Sequence, residues 1–362
     1  MFLALRDLRR GFRRFLLLGL VVALVALLST VLSGLATGLV SDGISGLRAL
    51  PLDRLVLQEG AEATFSRSTL RSPELERVQR VDGIEATPLG AGFVNASAVD
   101  GGPSLDLAIF GIAPDSFLVE RADARRALAG RPGLVLAEEL RDEGVEVGDR
   151  YRLGGSDLEL PVLGFTFAGT YGHAPIAFVS LETWQEIQYG GAADDRISAI
   201  AVRGGSDAEL EQAATGMEVL TKEQAYAGSP GFTAETTTMT LIRAFLLVIS
   251  ALVIGAFFTV LTLQRTRQIG LLKAMGASTS YVLRDGIGQM TLLVAAATAV
   301  GVAAGTGVVA LLSRSAAPVE LAPTSVLGVA VLLVASGVVG SLVAFRRITN
   351  VEPAIALTGD GG

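Results

Sequence analysis

The 362-residue chain is 50% hydrophobic with a mean hydropathy of +0.53, and only 18% of it is charged, against about 25% for an average soluble domain. That balance argues against a soluble enzyme and for a membrane protein, while the lack of cysteine excludes disulfides and thiolate metal sites. The net charge of −7 is unevenly split: residues 41–240 hold 31 Asp/Glu and 16 Lys/Arg, a net of −15, and the rest, with 5 acids and 13 bases, carries +8. Nucleic acid and anionic lipid need clustered cations, so the acidic segment suits neither, and no nucleic-acid partner is expected.

In chain order, residues 1–14 read as a basic amphipathic N-terminus carrying Arg6, Arg9, Arg10, Arg13 and Arg14. Residues 15–40 follow without a charge, enough as a helix to cross about 30 Å of hydrocarbon. A cleaved signal peptide is the alternative, but its apolar run is usually about 7–15 residues.

Residues 41–240 are long enough for a folded domain with its own core. Alternating apolar segments at 54–58, 93–99 and 105–110 predict strands, and 148–153 with 158–165 predicts a hairpin around Gly154-Gly155-Ser156-Asp157. Segments 72–81, 137–143 and 181–189 predict helices, the first with Ser72 as N-cap candidate. The expectation is an α+β domain with short helices over a mixed or antiparallel sheet. Glu138, Glu139, Asp142, Glu143 and Glu146 offer paired carboxylates of the sort glycosidases use. On a short helix they read as a solvated face, and no catalytic residue is assigned. His173, the only histidine, sits in a predicted loop without a ligand pattern around it, so no metal site is assigned. Trp184 reads as core or interface.

Three more spans follow: 241–263, charged only at Arg243 near one end where its guanidinium can snorkel, then 286–312 and 326–345, both uncharged. Short flanks give the orientation, since cytoplasmic loops are rich in Lys and Arg. Arginines precede the first span; Arg265, Arg267, Lys273 and Arg284 lie in 264–285; Arg346 and Arg347 open the tail 346–362; the loop 313–325 has one Arg and one Glu. The predicted fold class is therefore a polytopic α-helical membrane protein with four transmembrane helices and an extracytoplasmic α+β domain inserted between the first two. Both termini and the loop 264–285 lie in the cytoplasm, and the loop 313–325 lies outside. Small residues recur as Gly34 with Gly38, Gly301 with Gly305, and Gly337 with Gly340 and Ser341. Such spacing lets helices approach closely, although glycine is also simply common in membrane helices. The spans place no ionisable group mid-membrane, where ion-coupled carriers usually have one, so any energy source should lie outside these helices.

The segment after the second span reads QRTRQIGLLKAMGAS, from Gln264 to Ser278. It is a basic amphipathic stretch that Gly276 can stop, with Ile269, Leu272 and Met275 at helical spacing as an apolar ridge for a partner. The plainer reading is a helix lying among lipid headgroups. The segment resembles the hallmark of MacB/FtsX-type ABC transporter permeases, Arg-x-Arg-Glu-Ile-Gly-x-Leu-Lys/Arg-Ala-x-Gly-Ala-Ser. It matches at Arg265, Arg267, Ile269, Gly270, Leu272, Lys273, Ala274, Gly276, Ala277 and Ser278, and departs at Gln268, where the family usually has Glu. Arg346-Arg347 followed by Pro353 through Leu357 is similar to the family's closing pattern, with Thr358 in place of its usual Arg. The resemblance implies a bacterial inner-membrane permease, working as a dimer with two cytoplasmic ABC ATPase subunits and transmitting ATP-driven motion to its outer domain. Arg265, Arg267, Gln268, Ile269, Leu272, Lys273 and Met275 would form the ATPase-coupling element. The chain has no Gly-x4-Gly-Lys-Ser/Thr phosphate loop, so no cofactor is assigned to it. ATP and magnesium would be bound by the partner, and an extracytoplasmic adaptor or hydrolase is a further possible partner. Export of a drug, lipid or peptide, FtsX-like control of cell-wall hydrolases, and ligand sensing remain as function classes.

Overall fold

The computed structural model describes residues 12–348 apart from 120, 157, 168, 191–194, 265–274, 276–277 and 316. Residues 40–235 form one compact unit, and the described residues on either side form the other. The chain opens with α1 (Phe12–Ala49), β1 (Arg54–Gln58), α2 (Ser72–Gln79), β2 (Ile84–Ala98), β3 (Leu105–Ile112), α3 (Ala122–Gly130) and β4 (Leu134–Ala137). It continues with β5 (Arg150–Leu153), β6 (Glu159–Thr166), β7 (Thr170–Tyr171), β8 (Ala174–Ser180), α4 (Leu181–Tyr189), β9 (Ala199–Gly204), α5 (Asp207–Ala213), β10 (Met217–Thr221) and α6 (Lys222–Ala225). Three long helices close it: α7 (Phe232–Gln264), α8 (Thr279–Leu312) and α9 (Pro323–Ile348).

Among the described residues, α1, α7, α8 and α9 are the helices long and apolar enough to cross a membrane. The inward faces of α1, α7 and α8 meet in a cluster of Leu18, Val22, Ile254, Met290 and Val294, against which Val334 of α9 packs. Leu20, Leu24, Phe245, Leu252, Leu311 and Leu327 remain exposed, as lipid-facing side chains must be. Hydroxyls turn back onto their own helix: Thr30 donates to the Ala26 carbonyl at 2.8 Å, Thr259 to Gly255 at 2.9 Å and Thr291 to Ile287 at 2.9 Å. That satisfies donors for which lipid has no partner.

In the other unit, the described residues form one mixed sheet in the order β10-β1-β9-β2-β3-β8-β4-β6-β5. β2 is 15 residues long and serves two neighbours along one edge: residues 84–89 pair with β9 and residues 96–98 with β5. The second pairing closes β2, β3, β8, β4, β6 and β5 into a ring. Strand alternation sends Val94, Leu107, Ile109, Leu136, Leu153, Val162 and Val179 to one side, where they join Trp184 in a continuous core. The opposite faces, Ala91, Phe110, Val135 and Phe178, pack with Leu47, Leu50, Phe117 and Leu128 in a second core. A third core lies under α2 and α5, where Val56, Ile200 and Val202 meet Val78 and Leu210.

Three details differ from the sequence expectations. Helix 137–143 is a single 3-10 turn, Glu138–Arg141. Its amides bond three residues back, Asp142 to Glu139 and Glu143 to Leu140, and Gly144 at φ +90° ends it. Crowded carboxylates do not sustain a longer helix there. Ser72 is the first residue of α2 rather than its cap. Arg71 holds the cap position, its backbone N–H donating to the Glu74 carboxylate at 3.0 Å. β4 is four apolar residues, a run too short for periodicity to type.

Candidate functional site

The site begins at the β7–β8 hairpin, where Thr170 pairs with Pro175 and Tyr171 with Ala174, leaving Gly172 and His173 as a two-residue turn. Both have positive φ, +59° and +64°, as the twist of a two-residue hairpin requires. Glycine takes that region freely, and histidine is among the side chains that tolerate it best. The turn projects from the sheet between the 40–49 part of α1 and the segment leading into α7.

Hydrogen bonds fasten all three pieces together. The Thr170 N–H donates to Ser45 Oγ at 2.9 Å, and the Thr170 hydroxyl donates to the Asp42 carbonyl. The Gly43 carbonyl accepts from the Gly172 N–H at 2.9 Å and from Ser229 Oγ at 2.8 Å. Tyr171 Oη donates to the Gly228 carbonyl at 2.9 Å, and burial pushes its phenol pKa up. The backbones could not meet with larger residues: a Cβ on Gly169 would lie 2.6 Å from Gly46 Cα. Each such bond contributes about 1 kcal/mol net.

His173 completes the junction. Its Nδ1 lies 3.0 Å from Asp42 Oδ2 on α1, and its Nε2 2.9 Å from Glu235 Oε1 on α7. The bond to Asp42 above all, aided by Glu235, raises the imidazole pKa against the opposing effect of burial. The histidine expected in a loop does sit in a turn, and its two carboxylate partners, 131 and 62 residues away, could not be read from its sequence neighbours. A lone histidine after glycine in an acidic chain was the available signal.

Nearby, Glu139 is half-buried, with Oε1 shielded from solvent and unpartnered among the described residues. Burial, then the Asp42 charge, raises its pKa, so this member of the acidic cluster departs from the expected solvated face. Lys222, one of two lysines, donates to the carbonyl of Leu50 at 2.6 Å, just past the end of α1, and burial lowers its pKa. A cavity of about 480 Å3 lies alongside, lined by Ala49, Pro51, Leu118 and Phe167 with Arg121 and Glu138. Arg121 is already engaged by Asp123 at 2.8 Å and Glu138 at 3.7 Å. The described residues contain no group of three or more acidic or histidine side chains placed to hold a metal ion.

Of the residues expected to couple to an ATPase, Arg265, Arg267, Gln268, Ile269, Leu272 and Lys273 lie outside the described residues, while Met275 is exposed. Five of the six glycines expected at helix contacts face other helices, and Gly38 faces the segment between α8 and α9. A Cβ on Gly301 would meet Ala26 at 2.6 Å and one on Gly305 would meet Thr30 at 2.8 Å, joining α8 to α1. Gly34 faces Val309 at 3.0 Å, Gly38 the backbone of Val319 at 2.5 Å, Gly337 Val294 at 2.9 Å and Gly340 the Ala251 carbonyl at 3.1 Å. Arg243 donates to the Ser33 carbonyl at 3.3 Å, linking α7 to α1.

Comparison with known proteins gives two family matches. Residues 15–220 match the MacB-like periplasmic core domain, and residues 240–353 match the FtsX-like permease C-terminal region. A Staphylococcus haemolyticus protein named as a hemin transport system permease, HrtB, is 23% identical over 321 residues, 88% of each chain. An uncharacterized ABC transporter permease of Mycobacterium bovis is 24% identical over 86% of each chain. The extracellular domain of a noncanonic ABC-type transporter, YknZ, from Gram-positive bacteria aligns at a TM-score of 0.32 and 12% identity, covering 45% of this chain and 87% of that one.

Proposed function

Because this chain belongs to the MacB/FtsX-type family of ABC transporter permeases, we propose that it converts the ATP cycle of a separate ATPase into motion of its 40–235 unit. The observation that carries this reading is the junction. Two membrane-length helices, α1 and α7, each extend into that unit, and there they are tied to one hairpin turn of the sheet. A shift of either helix along its axis would therefore pull on the turn. Helices that merely anchored a domain would need no such paired fastening.

The ATP-consuming partner is a separate polypeptide in this reading, present in two copies on a permease dimer. The segment 264–278 meets it in the cytoplasm through Ile269, Leu272 and Met275, and the 40–235 unit faces outward. The chain itself serves as a transport subunit without catalysis. The MacB-like match over 15–220 favours export of a drug, lipid or peptide over FtsX-like hydrolase control, and the HrtB likeness adds hemin to the substrates to test. A pull-down of the tagged chain from solubilised native membranes, read by mass spectrometry, tests the core claim. The expected result is an ABC ATPase in stoichiometric amount; its absence under conditions that preserve other ABC complexes would overturn the proposal.

A further inference from the structure

The contacts of His173 are unusual in kind. Both ring nitrogens face carboxylates, and the carboxylates come from different helices. An ionised carboxylate only accepts hydrogen bonds, so both bonds form together only when both nitrogens carry hydrogen. The neutral ring has one N–H and one lone pair, and that lone pair must then face a carboxylate oxygen. One of the two attractions becomes a repulsion. The left-handed backbone at His173 is fixed by the hairpin pairing on either side, so the turn does not swing away to relieve it.

We propose that His173 is a proton-operated latch: as imidazolium it ties the start of α7 to the β7–β8 turn and to α1, and loss of its proton to water releases the Glu235 contact while the bonds of Thr170 and Gly172 keep α1 on the turn. The idea rests on the permease reading only for its physiological meaning, namely that acid outside the cell holds the two helices together and alkali lets them part. The charged groups that touch the ring share one sign. Asp42 faces the ring from α1 and Glu235 from α7. Behind Asp42 stands Glu139, on the turn after β4, close enough to feel its charge, with Glu143 further along the same segment. Arg48, on α1, donates to Ser41 Oγ. The surroundings thus favour a positive ring, in line with the upward pKa shift that Asp42 chiefly produces.

The test uses the full-length chain in lipid nanodiscs, purified without a histidine tag. Because His173 is the only histidine, the NMR titration of 15N-histidine-labelled protein reports this ring alone. The expected pKa lies above the ordinary value of about 6.5 and falls in both Asp42→Asn and Glu235→Gln. In the cysteine-free background, a spin-label pair at A49C and A234C measures the separation of the two helix ends. It should show one narrow distance below the measured pKa and gain a longer component above it, while His173→Gln shows the longer component at every pH. An unchanged distance distribution across a pH range in which the ring has demonstrably titrated would overturn the latch. So would a ring pKa at or below the ordinary value that neither carboxylate substitution moves. The ATPase takes no part in these measurements, so their failure would leave the permease reading standing, and a failed pull-down would leave the latch standing.

Discussion

At Gly111 the sheet leaves room for an indole and nothing more: a Cβ there would lie 2.7 Å from Trp184 Cγ, and one on Gly90 2.6 Å from Cε2. Trp184 is 1% exposed. Trp184→Ala should lower stability by about 3–5 kcal/mol, read as a lower calorimetric midpoint, since the variant loses the chain's only tryptophan. Gly111→Val tests the same seat from the other side and should cost about 1–3 kcal/mol by overpacking. His173 gives a pH-dependent expectation. Its folded-state pKa is raised, so its stabilisation is full below the unfolded value of about 6.5 and is lost as pH rises through the folded value. The wild type should therefore exceed His173→Gln in thermal midpoint at acid pH, with the gap closing in alkali. A gap that widened with pH would contradict the geometry. The ring is 34% exposed, so solvent screening keeps the effect modest.

Among elements, the contact between α1 and α8 depends on two glycines of one face, Gly301 and Gly305. Gly301→Leu should separate the helices and cost about 1–3 kcal/mol, visible as a lower melting temperature in detergent, whereas Gly307→Leu, with open space around its Cβ position, should be tolerated. Leu272→Asp addresses the coupling segment and should abolish co-purification of the ATPase without changing the yield of the chain. The elements that were legible in the sequence are those with long periodic signals. The apolar spans, the strand Arg54–Gln58 and the helix Leu181–Tyr189 could be read directly, the last from the charge in its first turn at Glu182, and the structure adds its caps at Ser180 and Gly190. β4, β8 and β9 were not, because buried strands are apolar on both faces and carry no alternation. The junction escaped for another reason. Asp42, His173 and Glu235 are unremarkable one by one, and only the path of the chain brings them together.

For the whole molecule, the orientation inferred from the arginine-rich flanks has a direct check. The native chain has no cysteine, and Val147 is 60% exposed in the 40–235 unit. Val147→Cys should react with an impermeant maleimide on intact spheroplasts, and labelling only after the membrane is opened would reverse the assigned sidedness. How the 40–235 unit would carry the proposed pull then follows from how its strands close. An open sheet yields under load by letting one strand slide past its neighbour at a free edge. The β2-β3-β8-β4-β6-β5 ring has no such edge, and the latch turn opens directly into β8. In the proposed cycle, a displacement entering at that turn would be shared around six paired strands instead of being shed at an edge.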